Sequence, residues 1–232
     1  MKNLIKKLLR ESLLSEVALT ASDLPEGTGL FYKKGDSDEL VLFKYKEVVV
    51  DEKGKTVVDE KGKEVYKIIR KVYAIINFEA DPQSGFYSVI SVAADKRYGP
   101  LIYELAMMCV NDKYEKNMLT PMRSGDVRSE AFNVWEKMYK RDDITKKTLL
   151  PTDKGFRYDI LFPTSEVEDD ERQEAFDELL DNEKEALIVF NSGYTKEPSK
   201  GYYDLLRTAQ QYDEDTYELA SKIGHNLWNT SY

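Results

Sequence analysis

Apolar and polar residues fall into blocks whose period changes part-way along the chain. From Leu30 to Ala93 the apolar positions gather in short runs rich in β-branched and aromatic residues, separated by clusters of Gly, Asp and Lys. These runs predict strands at Leu30–Lys33, Glu39–Val50, Glu64–Lys71, Val72–Glu79 and Phe86–Ala93. The last is apolar almost throughout, as a central strand is. After Gly99-Pro100 the period becomes helical. Leu101–Val110 predicts a buried helix, and Ser129–Arg141 a second, with Ser129 or Asp126 as its N-cap. Pro151–Thr164 carries no period. Glu166–Glu185 is acidic and predicts a surface helix around Phe176, Leu179 and Leu180. Ala186–Phe190 predicts a short core strand, and Ser199–Trp228 one or two closing helices. Antiparallel strands followed by a strand–loop–helix–helix–strand–helix tail predict an α+β fold built on one sheet.

Two further segments stand out. In Met1–Glu16, Leu4, Ile5, Leu8, Leu9 and Leu13 share one helical face and Lys2, Lys6, Lys7 and Arg10 the other. This predicts an amphipathic helix that packs on the domain. Charges interrupt its apolar positions and no small-residue cleavage site follows, so it is not a secretory signal. Ser22–Gly29 is a turn-rich connector. VVVDEKGK (48–55) is followed by VVDEKGK (57–63), a tandem duplication with hairpin-tip chemistry at Lys53-Gly54-Lys55 and Lys61-Gly62-Lys63. It predicts an exposed, charged β-hairpin excursion over residues 45–70. The expected organisation is a leader helix at 1–20 and a single domain at 21–232.

Composition narrows the chemistry. A chain of 232 residues with 41% hydrophobic and 33% charged residues can bury a core without disulfides or metals. Its net charge of −9 argues against nucleic acid or an anionic membrane as main partner. No apolar stretch approaches the roughly 20 residues that span a bilayer. The single cysteine, Cys109, excludes an internal disulfide and lies in the apolar run Leu105–Val110, which predicts a buried thiol. The single histidine, His225, lies near the C-terminus. A nucleophilic triad or a zinc site would have to recruit it there, so neither is expected, and no metal is. A reducing compartment is expected. Sixteen tyrosines, among them Tyr194, Tyr202, Tyr203, Tyr212, Tyr217 and Tyr232, leave a protein–protein contact surface open as a role.

The segment Val89–Tyr139 carries a specific pattern. A buried strand runs into Ala94-Asp95-Lys96-Arg97-Tyr98-Gly99-Pro100 and then a helix, which presents backbone N–H groups and a positive helix end to a phosphate. The loop resembles the GNAT acyltransferase pyrophosphate loop, Arg/Gln-x-x-Gly-x-Gly/Ala. Ser129 to Met138 is similar to the GNAT element Asn-x-x-Ala-x-x-Leu-Tyr-Glu-Lys-Leu. Roughly residues 70–195 resemble GNAT-like proteins of tailed bacteriophages, through Tyr98 to Met107, Leu119-Thr120-Pro121-Met122-Arg123, Ala131 to Trp135, Arg141-Asp142-Asp143 and Phe190-Asn191. The leader resembles capsid-targeting leaders cut after Leu/Ile-x-Glu, with triplets at Leu9-Arg10-Glu11 and Leu14-Ser15-Glu16.

The resemblance implies a GNAT-like, mainly antiparallel sheet flanked by helices, with acetyl-CoA as cofactor held by Lys96, Arg97, Tyr98, Gly99 and Leu101. It implies Glu79 as general base. Several positions depart from the family pattern. Lys96 replaces Arg or Gln, Leu101 replaces a small residue, Arg128 replaces Asn, and Pro100 removes an N–H donor. Trp135 stands where the family has the tyrosine that protonates the leaving thiolate; an indole cannot, which passes the role to Tyr139. The implied function is a virion-associated protein, structural or injected, with a degenerate acyl-CoA site and other virion or host proteins as partners, found in the virion or host cytoplasm. The alternative is an active N-acetyltransferase on a small amine or a protein amine.

Overall fold

The computed structural model describes residues 19–49, 51, 55–121, 129–153, 155–157 and 172–230. The expected leader lies almost wholly outside the described residues, as do Met122, Arg123, Asp126, Arg128 and the start of the acidic segment at Glu166.

Seven strands form one sheet in the order β1-β2-β3-β4-β5-β7-β6. β1 (Thr28–Lys33), β2 (Asp38–Val48), β3 (Tyr66–Ala80) and β4 (Tyr87–Ala94) make an antiparallel meander. β5 (Leu119–Thr120) joins β4 in parallel, and β7 (Ser192–Thr195) lies antiparallel between β5 and β6 (Thr145–Thr148). A parallel pair needs a crossover, and α1 (Gly99–Lys113) supplies it. The remaining helices are α2 (Ser129–Tyr139), α3 (Arg172–Asp177), α4 (Asp181–Phe190), α5 (Lys200–Ala209) and α6 (Glu214–Thr230). The expected α+β organisation on a mainly antiparallel sheet is what the structure has. No described helix is long and apolar enough to cross a membrane.

Two expectations are corrected, and one strand carried no sequence signal. The strands expected at 64–71 and 72–79 are one 15-residue strand, β3, bent near Arg70, which takes a left-handed φ of 49° beside a register shift against β2. Ala186–Phe190 is the second half of α4 rather than a strand. A five-residue apolar run has no diagnostic period; here the acidic turn before it starts a helix, with Glu183 Oε2 accepting the Leu180 N–H at 2.9 Å. The strand comes afterwards at Ser192–Thr195. The sequence of β6, Thr-Lys-Lys-Thr, shows no apolar pattern because it is an edge strand guarded by lysines.

The core divides along the sheet. On one face α1 is buried from Leu101 to Asn111, enclosed by Leu40, Ile76 and Phe78 of the sheet, Trp135 of α2 and Tyr202 of α5. Such a position requires a helix apolar nearly all round, and its two buried polar residues, Glu104 and Asn111, are paired, with Arg141 and Lys196 and with Thr195. On the other face Val41, Phe43, Val72 and Ile75 pack against Ala220 of α6. Gly224 lets α6 approach closely: a Cβ there would lie 3.0 Å from Ile75 Cδ1.

The duplicated segment closes on itself. Val49 donates its N–H to Val65 O (2.8 Å), Val57 to Val49 O (2.8 Å) and Val65 to Val57 O (2.9 Å). Three valines eight residues apart thus form a ring of backbone hydrogen bonds just past the last β2–β3 pair, Val48 with Tyr66. Asp51 and Asp59 each donate their N–H to the carbonyl of the Lys four residues on, at 2.8 Å and 2.7 Å. The Asp side chains accept the N–H of Lys55 and Lys63 in return, both at 2.9 Å.

Candidate functional site

The strand–loop–helix leaves the centre of the sheet. β4 pairs with β5 only at Tyr87–Leu119 and Ser88–Thr120, then runs six residues further to Ala94 with β3 alone as its described partner. Asn77 pairs with Ser91 and Phe78 with Val89, so Ile90 is the extra residue of a bulge, a device common beside binding sites. Beyond the end of a parallel pair, at its carboxyl side, is where open sheets hold ligands.

In the loop, Lys96 and Arg97 are exposed, and Arg97 has a φ of 81°. Tyr98 precedes α1, its ring stacked 4.7 Å from Tyr73 and its N–H bonded to Asp95 O at 3.0 Å. No side chain caps α1 and its first turn has no acidic residue. The first intrahelical bond runs from Ile102 N to Tyr98 O (3.0 Å). With Pro100 lacking an N–H, the first-turn donors without a helical acceptor are those of Gly99 and Leu101. The Leu101 side chain is 3% exposed and belongs to the core, so only its backbone can meet a ligand. A Cβ on Gly99 would meet nothing within 4 Å outside its chain neighbours, so the only group that favours glycine there is Pro100, whose ring crowds a side chain on a preceding helical residue.

The two candidate catalytic side chains lie apart. Glu79 is exposed near the end of β3, paired with Ser88. Tyr139 ends α2, its ring under Lys146 Nζ at 5.6 Å on β6. Strands β4 and β5 lie between β3, which carries Glu79, and the β7–β6 pair beside Tyr139. Trp135 is 1% exposed, wedged between Tyr103 and Tyr194, each 4.9 Å away between centroids. It is a core residue.

No family model, no curated protein and no solved structure matches this chain.

The motif residues outside the loop join distant elements. Arg141 bonds Glu104 of α1, which is also held by Lys196 Nζ at 2.6 Å; Asp143 meets Arg141 Nη2 at 2.6 Å and Lys196 at 2.7 Å. Asn191 is fully buried and grips the backbone of Arg157 from both sides, its Oδ1 accepting the N–H at 2.7 Å and its Nδ2 donating to the carbonyl at 3.0 Å.

A second polar cluster lies under α6, where sequence reasoning expected none. Glu39 of β2 is 7% exposed, and its Oε1 accepts the Tyr217 hydroxyl at 2.7 Å. Its Oε2 accepts His225 Nε2 at 2.9 Å and Asn77 Nδ2 at 3.4 Å. Burial pushes this carboxyl up, but the donors from Tyr217, Ser221, His225 and Asn77 outweigh it and hold it below the usual range. Tyr217, Ser221 and His225 stand at i, i+4 and i+8 on one helical face, a spacing readable in the sequence. Their shared partner Glu39 is not, because it comes from a strand nearly 180 residues away.

Proposed function

We propose that this chain is a GNAT-like phage protein, carried in or on the virion in a structural or injected role, whose acyl-CoA site is degenerate. The observation that carries the reading is the spacing of the chemistry along the sheet. The bulged strand, the basic loop and the uncapped start of α1 keep the form of an anion site. The side chains that would move protons come from different parts of the fold: Glu79 is exposed on β3, Tyr139 stands on α2 beside β7 and β6, and Trp135 is packed in the core. A transferase needs its base and acid within hydrogen-bond reach of one reacting centre.

The second reading, an acetyl-CoA-dependent N-acetyltransferase acting on a small amine or protein amine, draws support from the same loop, where Lys96 and Arg97 flank the first-turn amides of Gly99 and Leu101. A thermal shift with acetyl-CoA, repeated for Gly99→Glu, separates the two. Beyond Pro100 the space at Gly99 is open and a carboxylate at a helix start favours the helix, so the melting temperature of the unliganded variant separates an effect on folding from one on binding. The degenerate site predicts no shift at millimolar acetyl-CoA. A saturable stabilisation, about 2.7 kcal/mol at 100 times Kd, that Gly99→Glu abolishes would overturn that reading in favour of the transferase. Mass spectrometry of purified particles tests the virion role, and absence of the chain from them counts against it.

A further inference from the structure

The polar cluster under α6 opens outward into a hollow of about 370 Å³ between the end of β1 and one stripe of α6. That volume falls in the range of small-molecule sites. It lies on the sheet face opposite α1, so it is separate from the loop already described. Lys33 reaches in from β1, its Nζ 5.1 Å above the Tyr217 ring, while Lys222 and His225 reach in from α6. Ser221 and Asn226 add neutral hydrogen-bonding groups. Two carboxylates oppose them: Glu218 at the rim and Glu39 beneath, the latter buried behind its ring of donors.

We propose that this hollow is a binding site for a small phosphorylated molecule, its phosphate held by Lys33 and Lys222 with His225 between them. The argument is one of charge and shape. In a chain of net charge −9, Lys33, Lys222 and the protonatable His225 come from two elements to one hollow, where Glu218 is the rim carboxylate and Glu39 is already paired with its own donors. Lysine ammoniums are point-charge phosphate ligands, and a doubly charged anion matches two of them better than a carboxylate does. The Glu39 carboxylate is committed to its own donors and orients the imidazole by accepting from Nε2, as a fixed partner sets a histidine's ring.

His225 is the chain's one histidine, so its ring carbon–proton resonance reports on the hollow without assignment. Titration with inorganic phosphate at fixed pH is the test, with sodium acetate and sodium chloride arms at matched ionic strength. The expected result is a saturable shift with phosphate alone. Lys33→Gln and Lys222→Gln, both at exposed positions, should each weaken it by at least about ten-fold, the loss of one charge-assisted hydrogen bond, with an unchanged melting temperature. No saturable shift, equal responses to acetate or chloride, or undiminished binding in both variants would overturn the proposal.

Discussion

At the scale of the residue, burial decides what each reactive group can do. Cys109 is 0% exposed and burial pushes its thiol up to about 12, so it has almost no thiolate. Ellman's reagent should leave it untouched in the native protein and react at the rate of unfolding; rapid native labelling would contradict that burial. Its place in an apolar helical run made this legible in the sequence. Glu39 was not legible, because nothing within its own strand distinguishes a carboxylate that meets four donors from one that meets water. Its carboxyl is held below the ordinary value in the fold, so its stabilisation is complete above the unfolded value of about 4.3 and is lost as pH falls through the folded one. Glu39→Gln should therefore cost about 1–2 kcal/mol at neutral pH, with the gap to the native chain closing in acid when urea midpoints are compared. A gap independent of pH would mean the carboxylate's charge is not what docks α6.

At the scale of the element, contacts between backbones separate glycines that look alike in sequence. A Cβ at Gly155 would lie 2.7 Å from both Gln83 O and Ser84 Cα, where the loop before Arg157 crosses the β3–β4 turn. Gly155→Ala should cost about 1–3 kcal/mol, lowering Tm by roughly 2–4 °C per kcal/mol, whereas Gly99→Ala, crowded only by Pro100 beside it, should lower it less. Similar melting temperatures for the two variants would refute this close approach. The long apolar strands and the buried α1 were readable because their periods run over many residues. Strand β5, of two residues, and β6, of two lysines between threonines, were not: their strand character comes from neighbours that pair with them. Helix α4 was misread for the complementary reason, that its apolar half is too short to reveal a period.

At the scale of the whole molecule, one charged knot couples segments far apart in sequence. Glu104 of α1, Arg141 and Asp143 before β6, and Lys196 after β7 bring the centre of the core, the sheet edge and the approach to α5 to one point. Glu104 is nearly buried, so removing a cation leaves part of its charge uncompensated. Lys196→Ala should cost about 1–3 kcal/mol. Combined with Asp143→Ala it should cost less than the sum of the two single changes, because the substitutions share partners. Strict additivity in urea denaturation would show the pairs to be independent surface contacts. The sequence resemblance marked Arg141 and Asp143 as a motif, but only the fold shows that they tie α1 to the β7–α5 connection rather than line the loop.

The ring of Val49, Val57 and Val65 also bears on how this chain can vary over generations. Val49, Val57 and Val65, spaced by eight residues along the chain, each spend their N–H and carbonyl on the other two. Slippage during replication could add another eight-residue unit at no cost to the reading frame. A further copy would find the circle shut, with no donor or acceptor left for it. A longer allele would therefore have to break one of these three hydrogen bonds to admit the new unit or carry it outside the circle as loop.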